Sequence, residues 1–159
     1  MMLYVVTGAA GFIGSRLVQA MNRGGIAEIL AVDDLSGGLN AKNLYALEIE
    51  DYMDKGEFLA RLSTGSLDGS VEAVLHQGAC TDTMQCDGRY LMGNNYTFSK
   101  LLLEWALGRS VPFVYASSAS RPSFSRSAWA RLLRSFSSFQ LPTTSRSSAT
   151  LGVMMLAPL

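Results

Sequence analysis

Residues 5–15, VVTGAAGFIGS, decide the fold of this chain. An apolar run that is typical of a buried strand leads into them, and apolar residues at helical spacing follow them. Between the two lie Gly8, Gly11 and Gly14. Glycine permits a tight turn and a close approach of backbone to a diphosphate, and a helix start offers unpaired N–H groups to that anion. The stretch therefore predicts a strand, a phosphate-binding turn and a helix.

An acidic pair supports this interpretation. The second apolar run, residues 28–34, ends in Asp33 and Asp34. A carboxylate about 20 residues beyond such a glycine turn is placed to accept hydrogen bonds from an adenosine ribose. The alternative is a tight strand–helix turn without a ligand, which leaves the acidic pair unexplained.

The remaining pattern alternates short apolar runs with helical stretches. Such alternation predicts an α/β fold, a Rossmann-like doubly wound parallel sheet that ends after its fifth strand. Strands are predicted over residues 2–7, 28–34, 44–51, 71–79 and 112–118, and helices over 12–24, 55–64 and 87–108. In the first helix the predicted buried face contains Ile13, Leu17, Val18 and Met21.

Composition narrows the class of protein. The chain has 159 residues, 48% of them hydrophobic and 16% charged, which indicates a globular domain with a core. Two cysteines and one histidine argue against a disulfide framework or a metal site, and His76 is expected to be packed. With no signal-peptide layout and no apolar run long enough for a membrane span, a cytoplasmic location is expected.

The chain changes character near residue 120. All 13 acidic residues precede it, whereas residues 120–159 contain five arginines and ten serines but no lysine or acid. We therefore predict a dinucleotide-binding domain over 1–119 and a tail of unrelated character over 120–159. The tail has three interpretations: an out-of-frame or disordered segment, which we favour, a basic arm for nucleic acid, or an amphipathic segment for a partner or membrane.

Several segments of residues 1–119 resemble the extended short-chain dehydrogenase/reductase family, whose members include NAD-dependent epimerases and dehydratases. They are VTGAAGFIGS, VDDL, HQGAC, NNY and YASSA. Within that family DYMDK (51–55) and HQGAC (76–80) are most similar to the branch of ADP-glycero-manno-heptose 6-epimerases. The resemblance implies an isomerase of nucleotide-sugar and lipopolysaccharide precursor metabolism. It would use NADP, or alternatively NAD, to take a hydride from C6 of an ADP-heptose and return it to the other face.

The resemblance also implies roles for individual residues. The cofactor would be held by the glycine turn with Phe12 and Ile13, by Asp33 and Asp34, and by Lys55. The remaining contacts would come from Gln77, Gly78, Ala79, Cys80, Thr81 and Asn94, and Ser118 would be catalytic. Asn40 aligns where the family usually has a lysine, which weakens the case for the 2′-phosphate of NADP.

A Tyr-x-x-x-Lys pair, Tyr96 and Lys100, stands out as a candidate catalytic pair. At about 100° per residue it points away from the apolar stripe that must face the sheet. That stripe is predicted to contain Phe98, Leu101, Leu102 and Trp105. In the family the catalytic pair follows Ser118, but no tyrosine follows Tyr115 and no lysine follows Lys100. Tyr96–Lys100 is therefore not expected to be catalytic.

The missing pair predicts a chain that binds cofactor but is inactive alone. The alternative function is a non-catalytic NAD(P)-binding module or regulatory partner. We expect an ADP-sugar substrate in the intact family member, a homo-oligomer as one option, and neither nucleic acid nor membrane as a partner. An apolar sheet edge is expected to lie uncovered beyond the fifth strand.

Overall fold

The computed structural model describes residues 2–36, 40–80, 82, 84–117 and 152–156. Within these residues one sheet contains β1 (Leu3–Thr7), β2 (Ile29–Asp33), β3 (Asp51–Asp54), β4 (Val71–His76), β5 (Phe113–Ser117) and β6 (Gly152–Leu156). The helices are α1 (Phe12–Arg23), α2 (Lys55–Thr64), α3 (Gly88–Leu91) and α4 (Phe98–Gly108), with a 3-10 turn at Ala41–Asn43 and a π-helical segment at Met92–Thr97.

Strands β1 to β5 are parallel and lie in the order 3-2-1-4-5. The chain therefore winds to one side of β1 and then to the other, and the predicted Rossmann-like α/β fold is confirmed. In such sheets ligands bind outside the carboxyl ends of the strands, where the strand order reverses. Here that place lies between the ends of β1 and β4.

The core has two halves because side chains alternate across a strand. Val5 of β1 packs in a cluster with Phe58 of α2 and Leu102 of α4. The next residue, Val6, packs in a second cluster with Val18 of α1. All five of these side chains are fully buried, so both faces of the sheet are covered by helices.

The structure corrects the third strand and the start of α1. The third strand lies at Asp51–Asp54 and not within 44–51, a stretch that begins just after a 3-10 turn. In α1, Ile13 is 45% exposed, while Gly14 and Ser15 are buried. The start of α1 turns its small residues inward because a side chain at position 14 would collide with the carbonyl oxygen of Gly8.

The predicted helix over 87–108 is confirmed as a run of three segments, α3, the π-helical turn and α4. Phe98, Leu102 and Trp105 of α4 are buried as predicted. Leu101 is 46% exposed, which corrects its place in the apolar stripe. Ala106 is buried instead, so the buried face is centred one residue further along each turn than the sequence pattern suggested.

The tail contributes an unexpected element. Strand β6 pairs antiparallel with β5, from Phe113 opposite Leu156 to Ser117 opposite Gly152. The expectation of an uncovered edge beyond the fifth strand is therefore wrong. Other residues of the predicted tail lie outside the described part of the chain. Among the described helices, none combines the length and the apolarity that a bilayer crossing requires.

Candidate functional site

The glycine turn between β1 and α1 is held in a conformation that only glycine fits. Gly8 has φ +68°, and a Cβ there would lie 2.7 Å from the backbone nitrogen of Gly78. A Cβ at Gly14 would lie 2.0 Å from the Gly8 carbonyl oxygen. The turn thus presses against the end of β4 on one side and against α1 on the other.

The N-terminus of α1 opens beside this turn. Its N-cap residue, Gly11, supplies no side-chain hydrogen bond, and the first turn of α1 has no acidic residue. The N–H groups of that turn are therefore not capped by a side chain and carry the positive end of the helix dipole. This is the environment that an anionic diphosphate requires.

Asp33 fixes the glycine turn from the end of β2. Its Oδ2 accepts a hydrogen bond from the N–H of Ala10 at 2.7 Å, and its Oδ1 accepts one from the N–H of Asp34 at 2.8 Å. Asn43 fixes the carbonyl side of Ala10, because its Nδ2 donates a hydrogen bond to the Ala10 carbonyl oxygen at 2.7 Å. An ionised carboxylate has about four acceptor positions, so Asp33 keeps capacity for ribose hydroxyls.

Lys55 supplies positive charge across from the two aspartates. Its Nζ donates to Oδ1 of Asn94 and lies 4.7 Å from the centre of the Phe98 ring. Burial lowers the pKa of Lys55, and the nearby Asp34 and Asp33 carboxylates oppose that shift. Hydrogen bonds from Ser36, and more weakly the charge of Lys55, lower the pKa of Asp34. The lowered pKa of Asp34 favours its carboxylate form beside Lys55.

These elements enclose a cavity of about 430 Å³ at the carboxyl edge of the sheet. The predicted site residues that line it are Gly8, Gly11, Phe12, Asp33, Asp34, Asn40, Lys55, Gln77, Gly78, Ala79, Cys80 and Asn94. Glycine backbone, a helix N-terminus, carboxylates and one lysine thus meet in one place.

Comparison with known proteins identifies the family. The sequence model of the NAD dependent epimerase/dehydratase family matches residues 4–122. The chain belongs to this family. That match ends close to the predicted domain boundary at residue 119, although the separate character of the tail stays a prediction.

Two solved structures of sugar-nucleotide epimerases share the fold. The ADP-L-glycero-D-manno-heptose-6-epimerase of Helicobacter pylori aligns with a TM-score of 0.63 and 24% identity, over 79% of this chain and 43% of that chain. The UDP-glucuronic acid 4-epimerase of Bacillus cereus, solved in complex with NAD, aligns with a TM-score of 0.60 and 26% identity, over 78% and 42%. The chain spans less than half the length of either enzyme.

The cavity suits the cofactor of an NAD-dependent epimerase/dehydratase. The Gly8–Gly78 contact leaves no room for a side chain, which keeps the backbone bare where a diphosphate would approach. Asp33 lies beside it to accept from a ribose, and Lys55 supplies a cation. The donor set therefore fits a dinucleotide.

Other predicted residues have different positions. Ile13 and Gly14 belong to the first turn of α1 but do not line the cavity, so only their backbone could contribute. Thr81 and Ser118 lie outside the described residues, and their predicted roles stay predictions. Among the described residues no group of three or more His, Cys, Asp or Glu side chains converges as a metal site would.

Sequence reasoning missed five residues that line the cavity: Thr7, Val32, Ser36, Tyr90 and Phe98. Thr7 and Val32 could have been found, because they end or nearly end two neighbouring parallel strands and ligands bind beside such ends. Nothing in the local pattern distinguishes Tyr90, which reaches the cavity from α3.

Tyr96 and Lys100 do not line the cavity. Tyr96 is 59% exposed, and Lys100 pairs with Glu104 at 3.8 Å on the solvent side of the helix. The predicted orientation of this pair away from the cofactor side is confirmed. A base has to come within hydrogen-bond reach of the proton that it removes, which this tyrosine does not do for a ligand in the cavity.

Proposed function

We propose that the cavity binds NADP, or alternatively NAD, and that the chain provides the dinucleotide-binding part of an epimerase acting at C6 of an ADP-glycero-manno-heptose. The observation that carries cofactor binding is the meeting of the Gly8 turn, the open start of α1 and the Asp33 carboxylate at one sheet edge. A bound nicotinamide dinucleotide supplies hydride transfer. The chain's own residues bind and orient it.

The substrate proposal rests on two sequence segments that come together in space. Lys55 ends the DYMDK segment, and Gln77 to Cys80 follow His76 in HQGAC. Lys55 of the first segment and Gln77 to Cys80 of the second line the same cavity, although more than 20 residues separate them. Their convergence supports a shared role in the cofactor site of this branch of the family.

Cofactor choice depends on the balance of charge at the adenosine end. Asp33 and Asp34 line the cavity and would repel a 2′-phosphate, which supports NAD. The resemblance in the DYMDK segment supports NADP, with Lys55 as the cation. Parallel titrations with NADPH and NADH decide between them by the ratio of the two dissociation constants.

Cofactor binding is tested by the fluorescence of NADPH with a matched pair of glycine variants. Gly11 lines the cavity, whereas a Cβ at Gly108 would meet nothing within 4 Å. We expect saturable binding by the wild-type chain, about tenfold weaker binding by Gly11→Ala, equivalent to about 1.4 kcal/mol, and no change in Gly108→Ala. No saturable signal with either NADPH or NADH would refute the proposal.

We further propose that a polypeptide of these 159 residues binds cofactor without turning over an ADP-heptose. The family's catalytic tyrosine and lysine have no counterpart after Ser118, and Tyr96 faces solvent. The alternative function, a non-catalytic NAD(P)-binding module, is favoured by the same two observations. Epimerase turnover by the purified chain that is abolished in Tyr96→Phe would contradict both the proposed inactivity and the non-catalytic module.

The origin of the tail is open to a direct test. The coding DNA can be translated in its other two frames beyond Ala119. A Tyr-x-x-x-Lys in one of those frames, about two dozen residues past Ser118, would support an out-of-frame tail and the epimerase assignment. Absence of such a continuation in both frames would favour the binding module.

A further inference from the structure

His76 is the chain's single histidine and lies at the carboxyl end of β4. It is buried, and the rings of Phe98 and Phe113 lie 5.6 Å and 5.8 Å from it, centre to centre. It does not line the cavity. The expectation of a packed histidine is confirmed, but both ring nitrogens are also hydrogen-bonded.

One ring nitrogen reaches β1 and the other reaches α4. Nδ1 lies 2.6 Å from Oγ1 of Thr7, and Nε2 lies 2.7 Å from Oγ of Ser99. Thr7 Oγ1 also accepts a hydrogen bond from the N–H of Gly78 at 3.3 Å. The Ser99 hydroxyl in turn donates to the backbone carbonyl of Asn95.

The hydroxyl protons fix the tautomer of the imidazole. Ser99 has one hydroxyl proton, and it goes to the Asn95 carbonyl, so Nε2 of His76 has to donate. A neutral imidazole has one N–H, so Nδ1 accepts, and its donor is the Thr7 hydroxyl. Every proton then points the same way, from the Gly78 N–H through Thr7, His76 and Ser99 to Asn95.

One end of this chain of hydrogen bonds, Gly78, lines the cavity, and the other end, Asn95, holds Cys80, which also lines it. Gly78 lies against Gly8 of the glycine turn. Asn95 clamps Cys80, accepting from its N–H at 2.7 Å and donating to its carbonyl at 3.0 Å. Asn95 Oδ1 also accepts from Nδ2 of Asn94, the partner of Lys55.

We propose that His76 is a positioning residue, which through this one-directional chain of hydrogen bonds sets the segment from Gly78 to Cys80 against the helix that carries Asn94. This role rests on the proposed binding of NAD or NADP in the cavity. His76 does not touch the cofactor. It keeps two walls of the cavity at a fixed separation, and the hydrogen-bond chain has no place for an imidazolium.

The protonated form does not fit because Nδ1–H would replace the Thr7 hydroxyl as the donor between Nδ1 and Oγ1. The Thr7 hydroxyl proton would then lose its acceptor in a buried place. The charge of Lys55 adds repulsion after the larger effect of burial, and together they lower the pKa of His76 to about 4. The neutral tautomer therefore persists through the physiological range.

The tautomer of His76 can be observed by ¹⁵N NMR without assigning resonances to residues, because the chain has one histidine. A chain labelled with ¹⁵N-histidine and purified without a histidine tag contains one imidazole. We expect one-bond proton coupling at Nε2 and none at Nδ1 between about pH 5 and pH 8. A proton on Nδ1 in that range would overturn the proposed direction of the chain.

The positioning role is tested with Ser99, which does not line the cavity. Ser99→Ala removes the acceptor of Nε2–H, whereas Ser99→Thr restores a hydroxyl. We expect Ser99→Ala to weaken NADPH binding about three- to tenfold and Ser99→Thr to recover it, because one hydrogen bond is involved. Trp105→Phe is the control, since it removes a different α4 hydrogen bond, to Asp68.

A second measurement does not depend on cofactor. Amide exchange of Gly78 and Cys80 in the free chain should become about tenfold faster in Ser99→Ala and stay unchanged in Trp105→Phe. Unchanged exchange together with unchanged NADPH affinity in Ser99→Ala would overturn the positioning role. If the wild-type chain binds neither NADPH nor NADH, the proposed function fails instead. Amide exchange of Gly78 and Cys80 in Ser99→Ala still tests whether Ser99 helps to hold this segment in place.

Discussion

The Asp33 carboxylate, at the end of β2, accepts a hydrogen bond from the backbone N–H of Ala10, 2.7 Å away in the glycine turn. The residue expected to hold the ribose therefore also fixes the turn expected to hold the diphosphate. Two strands that are adjacent in the sheet bring these parts together.

Replacement of Asp33 separates its two roles. In Asp33→Asn the side-chain oxygen still accepts from Ala10, but the charge is lost and an amide nitrogen, which cannot accept from Asp34 or from a ribose, replaces Oδ1. We expect NADH affinity to fall about tenfold, while the free energy of unfolding falls by about 1 kcal/mol or less. Titration and urea unfolding measure the two effects. Equal affinity in the variant and the wild type would contradict the ribose role.

Leu101 and Leu102 test the orientation of α4. Leu102 is fully buried beside Val5 and Phe58, whereas Leu101 is nearly half exposed. We expect Leu102→Ala to lower the free energy of unfolding by about 3 kcal/mol and Leu101→Ala by about 0.5 kcal/mol or less. Similar losses in the two variants would mean that the helix is rotated from the position described.

His76 predicts a dependence of stability on pH. Its pKa is about 4 in the folded chain against an ordinary 6.5, so the unfolded chain binds more protons between these values. The stability that this provides is fully present above pH 6.5 and is lost as the pH falls towards 4. The expected loss is about 3 kcal/mol.

The comparison variant for this loss is His76→Gln, which has no titrating group at that position. Its unfolding free energy should be lower at neutral pH but should fall less between pH 6.5 and pH 4. Carboxylates titrate in both proteins and cancel in the difference. Parallel pH profiles of the variant and the wild type would show that His76 is not buried in its neutral form.

Asn40 tests cofactor choice. It lines the cavity close in sequence to Asp33 and Asp34, and the sequence resemblance implies a lysine at this position. A cation there would offset the two carboxylates, so Asn40→Lys should raise NADPH affinity about fivefold and leave NADH affinity nearly unchanged. The ratio of the two dissociation constants is the measurement. An equal gain for both dinucleotides would point to a general charge effect and not to a 2′-phosphate contact.

The sequence predicted the parts of the fold that depend on local chemistry. Gly8, Gly14 and Asp33 could be placed because a strand–turn–helix that binds a diphosphate needs these residue types at this spacing. Helix α2 was predicted with its observed bounds. In the structure Asp54 caps its start, and Gly65 in a left-handed conformation ends it.

Long-range features were not predictable from one sequence. Pairing of β6 with β5 joins segments about 40 residues apart and leaves no local signal. No individual role was predicted for Asn95 or Ser99, because their partners Cys80 and His76 are distant in sequence. Helical periodicity alone also placed Leu101 too close to the sheet.

Hydrogen exchange of the whole chain with and without saturating NADPH or NADH tests the central claim most directly. We predict that the cofactor protects the glycine turn, the end of β2 and residues 77–80, and leaves the outer face of α4 around Lys100 unchanged. No protection with either dinucleotide, or protection confined to the Tyr96–Lys100 face, would contradict a cofactor site at the carboxyl edge of this sheet.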